Sequence, residues 1–151
     1  MPDTDDLPPL PDVAGVRLDG TSAYTISAEE NAALCRSTGI EPADDGTAHP
    51  IYYYVATQVA MGKSVAELCA VCDFDVDDGP MMGSSEVRFS NPLRTGLPYR
   101  VSGEILSLQR KRSRKLGVMD VLTYRLRLHG PDGGAALETD NVWVLPRREL
   151  A

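Results

Sequence analysis

Basic charge, long apolar runs and reactive side chains are what this chain has least of. Lysine and arginine number 15 against 22 aspartates and glutamates, a net charge of −7. General nucleic-acid binding draws on a basic face that neutralises phosphates, so that class is set aside. No apolar stretch reaches the ~20 residues that a membrane crossing needs. The opening Met-Pro-Asp-Thr-Asp-Asp lacks the apolar centre of a secretion signal. The expectation is a cytoplasmic protein without a membrane partner. Cysteine occurs three times, as Cys35, Cys69 and Cys72, and an odd count without a signal points to reduced thiols. Cys69 and Cys72 have the spacing of half a zinc site. No second cysteine pair accompanies them, whereas structural zinc takes four ligands, so no metal is expected. Neither a glycine-rich phosphate loop nor G-x-S-x-G is present, which removes two common routes to nucleotide binding and serine hydrolysis.

What remains is a globular composition, 42% hydrophobic and 25% charged over 151 residues, and it suits one domain. Residues 1–12 hold four aspartates and four prolines and read as a mobile tail before a domain spanning 13–151. Ser27-Ala28-Glu29-Glu30 fits a capping box, and Gly39 fits a helix stop, giving a helix over 28–38. Residues 51–71 read as the main helix. Met61-Gly62-Lys63-Ser64 offers a place to split it, with Ser64 capping a second segment and Glu67 in its first turn. After Gly83 the period becomes two, with strands at 85–90, 99–109, 118–129 and 136–145. Helices followed by a run of strands with short connections make an α+β fold with an antiparallel sheet.

Four segments carry a family resemblance. They are Tyr24-Thr25-Ile26-Ser27-Ala28-Glu29-Glu30, Ser37-Thr38-Gly39, Phe89-Ser90-Asn91-Pro92-Leu93-Arg94-Thr95-Gly96, and Asp132-Gly133 before the last strand. In order and spacing they resemble the MaoC-like hot-dog proteins, in particular the N-terminal-type MaoC dehydratase domain. The resemblance covers about residues 20–147. It implies a single hot-dog fold, a long central helix wrapped by a curved antiparallel sheet. It further implies dehydration of an (R)-3-hydroxyacyl thioester, or hydration of a trans-2-enoyl thioester, carried on coenzyme A or an acyl carrier protein, with no other cofactor. Because one repeat is present, the implied partner is a second copy or a different MaoC-like hot-dog protein.

The family's acid/base pair is an aspartate and a histidine five residues later, in a loop after the first helix. Counting from Gly39 puts Ile40 and Asp45 at those places. A second register, Asp44 and His49, keeps the spacing and requires an insertion of about four residues, which loops tolerate. Two alternatives stand. Either Asp44 and His49 are catalytic, or they are loop charge and a helix-start residue, and the chain shapes the pocket of a catalytic partner. Tyr52, Tyr53 and Tyr54 form either an aromatic wall against a bulky acyl group or core and interface packing. Arg110, Lys111, Arg112, Arg114 and Lys115 read as a turn between long strands. They are either simply solvated or a landing site for phosphates or an acidic carrier. A hot-dog thioesterase is a further alternative. It needs a carboxylate on the central helix, where Glu67 is the only one and lies late.

Overall fold

The computed structural model describes residues 4–150; the first three residues of the expected tail, and Ala151, lie outside them. A two-residue strand β1 (Tyr24–Thr25) precedes helix α1 (Ala28–Ser37), helix α2 (Tyr52–Ala60) and helix α3 (Val65–Val71). Four long strands follow: β2 (Met81–Phe89), β3 (Pro98–Ser113), β4 (Gly117–His129) and β5 (Ala135–Pro146). All pairings are antiparallel, in the order β1-β3-β4-β5-β2, and the sheet curls as a half-barrel around the helices.

The sequence logic of the helices holds at their ends. Ser27 Oγ accepts from the Glu30 N–H at 3.0 Å and Glu30 Oε1 accepts from the Ser27 N–H at 3.0 Å, the reciprocal capping box. Gly39 takes φ +84°, the left-handed turn that ends α1 at low steric cost. The expected main helix takes the split at Met61–Ser64 and becomes α2 and α3, with Ser64 accepting from the Glu67 N–H at 3.1 Å. The break has a packing cause. Gly62 donates to the Leu18 carbonyl at 2.9 Å, and a Cβ on Gly20 would sit 1.8 Å from the Ala60 carbonyl oxygen. The 18–20 segment therefore lies flush against the end of α2, where a continuous helix has no room.

Every second residue of β4 from Val118 to Leu128 is buried, and Val101, Ile105, Leu137, Trp143 and Leu145 face the same interior. Burying each large aliphatic side chain contributes about 1.5–3 kcal/mol. The opposite face is solvated and laced by cross-strand ion pairs. Arg125 grips Asp140 through two bonds at 2.7 and 2.9 Å. Arg127 binds Glu138 at 2.8 Å, and Arg88 on β2 reaches the same carboxylate at 2.6 Å.

One charged cluster lies inside. Asp120 is fully buried, held by Arg110 at 2.8 and 2.9 Å and by Arg147 at 2.7 Å. Arg147 also donates to the Cys72 and Asp73 carbonyls and lies 5.3 Å from the centre of the Phe74 ring. It thereby ties the end of β5 to the chain leaving α3. This corrects the placing of Arg110 in a solvated turn: β3 runs on to Ser113, and its alternation turns Arg110 inward. In the described part of the tail, the Pro8 carbonyl accepts from Arg110 and Asp6 accepts from Arg112.

Two outcomes follow. Asp120→Ala strands two guanidinium groups in the interior and is expected to lower stability by about 3–5 kcal/mol, measured by denaturant unfolding. The hydrogen bond from Arg125 holds Asp140 below the usual carboxylate range, and that from Arg88 does the same to Glu138. Carboxylates depressed in the folded state add stability that is fully present above the unfolded value near 4 and lost as pH falls through the folded one. Melting temperature is therefore expected to hold from pH 7 to about 5 and to drop below about 4. In an Arg125→Met variant that drop is expected to shrink.

Candidate functional site along the open edge

The loop before α2 is fastened to the Asn91–Gly96 turn. Ala48 donates to the Leu93 carbonyl at 2.7 Å and Thr95 to the Gly46 carbonyl at 2.9 Å. Buried Asn31 reaches across from α1 and accepts the His49 N–H at 2.8 Å. Thr47, Ala48, Pro50, Phe89, Pro92 and Leu93 then line an apolar notch of about 240 Å³ at the start of α2. Behind the turn, Asn91, Arg94, Tyr99 and Asp132 border a more polar cleft of about 480 Å³.

His49 is half-buried, and its Nδ1 accepts the Ile51 N–H at 3.0 Å. The ring caps the helix start, which leaves the proton of a neutral imidazole on Nε2. Asp44 is exposed, and no hydrogen bond links it to His49 among the described residues. Asp45, the alternative position, accepts from the Thr47 N–H at 2.9 Å, which holds its carboxyl below the usual range. Ile40 is exposed. Among the described residues, the structure thus brings no carboxylate onto the imidazole.

The three tyrosines separate as the 100° helical step requires. Tyr52 is buried in the core. Tyr54 is half-buried and meets the Tyr53 ring edge-on at 6.2 Å. Tyr53 faces β2, where its ring meets Phe89 edge-on at 6.3 Å and its hydroxyl lies 2.8 Å from Ser85 Oγ. Ser85 donates to Asn141 Oδ1 at 2.6 Å, so Tyr53 is the donor to Ser85. Asn141 is fully buried, and its Nδ2 lies near the Tyr124 hydroxyl without forming a well-aligned hydrogen bond. Beneath it, Gln58 donates to the Tyr124 hydroxyl at 2.9 Å. Burial pushes Tyr124 well above the ordinary phenol range. The notch, Phe89 and this hydrogen-bonded chain run along the sheet edge that β2 leaves unpaired. Ser85 and Asn141 escape the sequence reading because their meeting depends on strand register, and Asn31 and Gln58 because theirs depends on how the helices pack against a loop and the sheet. Inward alternation along β5 is the one signal that points to Asn141.

The basic run divides. Arg110 is locked to Asp120, Arg112 binds Asp6 at 2.8 Å, and Lys111, Arg114 and Lys115 are exposed around the β3–β4 turn. These five residues do not join the notch. Glu67 is exposed and bound to Ser64 at the start of α3. All three cysteines are free and buried. Burial raises Cys69 and takes Cys72 to about 12, so neither is a ready thiolate. No cluster of three or more histidine, cysteine or acidic side chains suited to a metal occurs among the described residues.

No family model and no curated protein matches the chain. Solved structures do. The C-terminally truncated HadBC 3R-hydroxyacyl-ACP dehydratase complex of Mycobacterium tuberculosis aligns at TM-score 0.68 and 15% identity, covering 88% of this chain and 97% of that one. A MaoC-like dehydratase from Rhodospirillum rubrum aligns at 0.62 and 15%, covering 89% and 93%. A thioesterase complexed with coenzyme A and zinc from Thermus thermophilus aligns at 0.54 and 13%, covering 85% and 77%. These likenesses show that the chain has the hot-dog fold.

Ser85→Ala removes the partner of Asn141 Oδ1 and leaves a buried amide with no bond on its oxygen. The expected cost is about 1–3 kcal/mol, read by thermal or denaturant unfolding. Tyr53→Phe, which keeps the Ser85–Asn141 bond, is expected to cost less.

Proposed function

We propose that this chain is the pocket-shaping subunit of a 3-hydroxyacyl-thioester dehydratase, equally a trans-2-enoyl-thioester hydratase, whose acid/base pair comes from a second hot-dog protein. The observation that carries the reading is the start of α2. An apolar notch opens there beside an unpaired strand edge, yet the one histidine present caps the helix and meets no carboxylate. Removing water from a 3-hydroxyacyl thioester needs a base for the proton on one carbon and an acid for the hydroxyl on the next. His49 alone supplies one of those roles at most. The fold supports the reading, as do the dehydratases among its structural neighbours, one of them the HadBC complex.

In this reading the residues take the following parts. The notch holds the acyl tail, which is apolar and gains from leaving water. Tyr53 and Ser85 border the open edge and orient polar groups of the substrate there. A partner laid along β2 pairs its free N–H and C=O groups and covers Met81, Met82 and Phe89, each more than two-fifths exposed. Thioester hydrolysis, the chemistry of another neighbour, fits less well. The α2 sequence Tyr-Tyr-Tyr-Val-Ala-Thr-Gln-Val-Ala offers no carboxylate to direct water at a carbonyl.

The test is an assay of trans-2-enoyl-CoA hydration with the chain alone and with a co-purified hot-dog protein of the same source. Activity is expected only in the mixture, and His49→Ala is expected to leave at least half of it. Turnover by the chain alone, abolished by His49→Ala, would instead establish a self-sufficient homodimer using that histidine.

A further inference from the structure

The β3–β4 turn already holds an acidic segment of this chain, and that contact identifies what else can bind there. Arg112 donates to Asp6 at 2.8 Å, and Arg110 donates to the Pro8 carbonyl. The tail that supplies them carries Asp3, Asp5, Asp6 and Asp12. Around the same turn stand Lys111, Arg114 and Lys115, all exposed, with no carboxylate within ion-pair distance among the described residues. In a chain of net charge −7 this is the densest local concentration of positive charge.

The inward face of the turn separates what is structural from what is available. Arg110 is committed to buried Asp120 and cannot leave without exposing that carboxylate to an apolar interior. Arg112 is partly exposed, and its Asp6 partner is 74% exposed. An ion pair in that setting is worth at most about 1 kcal/mol. The Asp6 contact is therefore readily exchanged, while the Arg110 contact is not.

From this the geometry points to the β3–β4 turn as a docking surface for an acidic protein, with the N-terminal segment as its built-in competitor. Lys111, Arg112, Arg114 and Lys115 form the surface. The occupant is an acidic polypeptide face rather than a phosphate group, because the ligand already seated on Arg112 is a carboxylate of an acidic segment. In the setting of the proposed function that partner is an acyl-carrier-type protein delivering the thioester. This identity rests on that reading; the competition between the tail and an acidic partner does not. Tail and partner share Arg112, so each weakens the other. A partner's apparent affinity falls by the fraction of time the tail is seated.

The experiment is direct binding by fluorescence anisotropy, using the chain in the assembly in which it purifies. The probes are a labelled bacterial acyl carrier protein without an acyl group and, separately, fluorescent coenzyme A. Three forms are compared: the full chain, a variant lacking residues 2–7, and K111E/R114E/K115E. The deletion keeps Pro8, whose carbonyl serves Arg110. Circular dichroism and melting temperature establish that each form is folded. Removing the tail is expected to tighten carrier-protein binding by about two- to tenfold. Charge reversal is expected to weaken it by about tenfold or more, and salt to suppress it. Coenzyme A binding is expected to respond to neither change. Carrier binding that is indifferent to the reversal, or unimproved by losing the tail, overturns the proposal. So does coenzyme A responding as strongly as the carrier, which would mark a phosphate site. Binding is read without turnover, so the two readings fail separately. An inactive enzyme with the expected binding pattern sinks the dehydratase assignment alone, and an active enzyme without the pattern sinks the docking surface alone.

Discussion

The concave face of the sheet has to be covered by a helix that offers little side-chain volume. Ala56, Thr57 and Ala60 are the buried residues of α2 that follow Tyr52, and the sheet answers with Leu122, Tyr124, Leu126 and Trp143. Small side chains on the helix let bulky ones on the strands fill the space, which keeps packing dense. This close approach also leaves the edge strand β2 touched by Tyr53 at Ser85 and Phe89 but open at Met81 and Met82. Nine residues of helix are about 13 Å long, and their buried face is spent on the middle of the sheet. The open edge, the notch at the helix start and the hydrogen-bonded chain from Tyr53 all follow from it.

Polar groups at that edge are arranged differently from those elsewhere in the molecule. On the convex face, carboxylates meet guanidinium groups in solvent, and inside, Asp120 is matched by two arginines. At the edge, the chain from Tyr53 through Ser85 ends on an amide whose nitrogen is buried without a well-aligned hydrogen bond. A buried donor with no acceptor costs roughly 1–3 kcal/mol, and a compact protein carries few of them.

Much of the architecture was legible because it rests on local rules. The capping box at Ser27, the stop at Gly39 and the split offered at Met61–Ser64 each depend on a few neighbouring residues, whereas β2 starts at Met81, inside the loop expected up to Gly83. The site was less legible because it depends on register. Nothing near Ser85 announces Asn141, 56 residues away, and nothing near Arg110 announces Asp120 across the ladder. The basic run illustrates the difficulty. As sequence it is one patch, but alternation along β3 turns Arg110 inward to a structural bond and leaves Lys111 outside. A period of two divides such a cluster between a buried role and a solvated one.

His49 shows why a matched spacing is a weak guide to chemistry in a loop. Aspartate and histidine five residues apart can meet only if the backbone between them folds back. Here the loop is committed elsewhere, with Ala48 bonded to Leu93, His49 N–H to Asn31 and Nδ1 to Ile51. Those bonds build the wall of the apolar notch and start α2. The same commitments that make this end of the helix a good container hold the imidazole away from Asp44. A container without its acid/base pair is chemically incomplete by itself. Under the proposed function, the unpaired β2 edge beside it is where a second hot-dog chain completes the site.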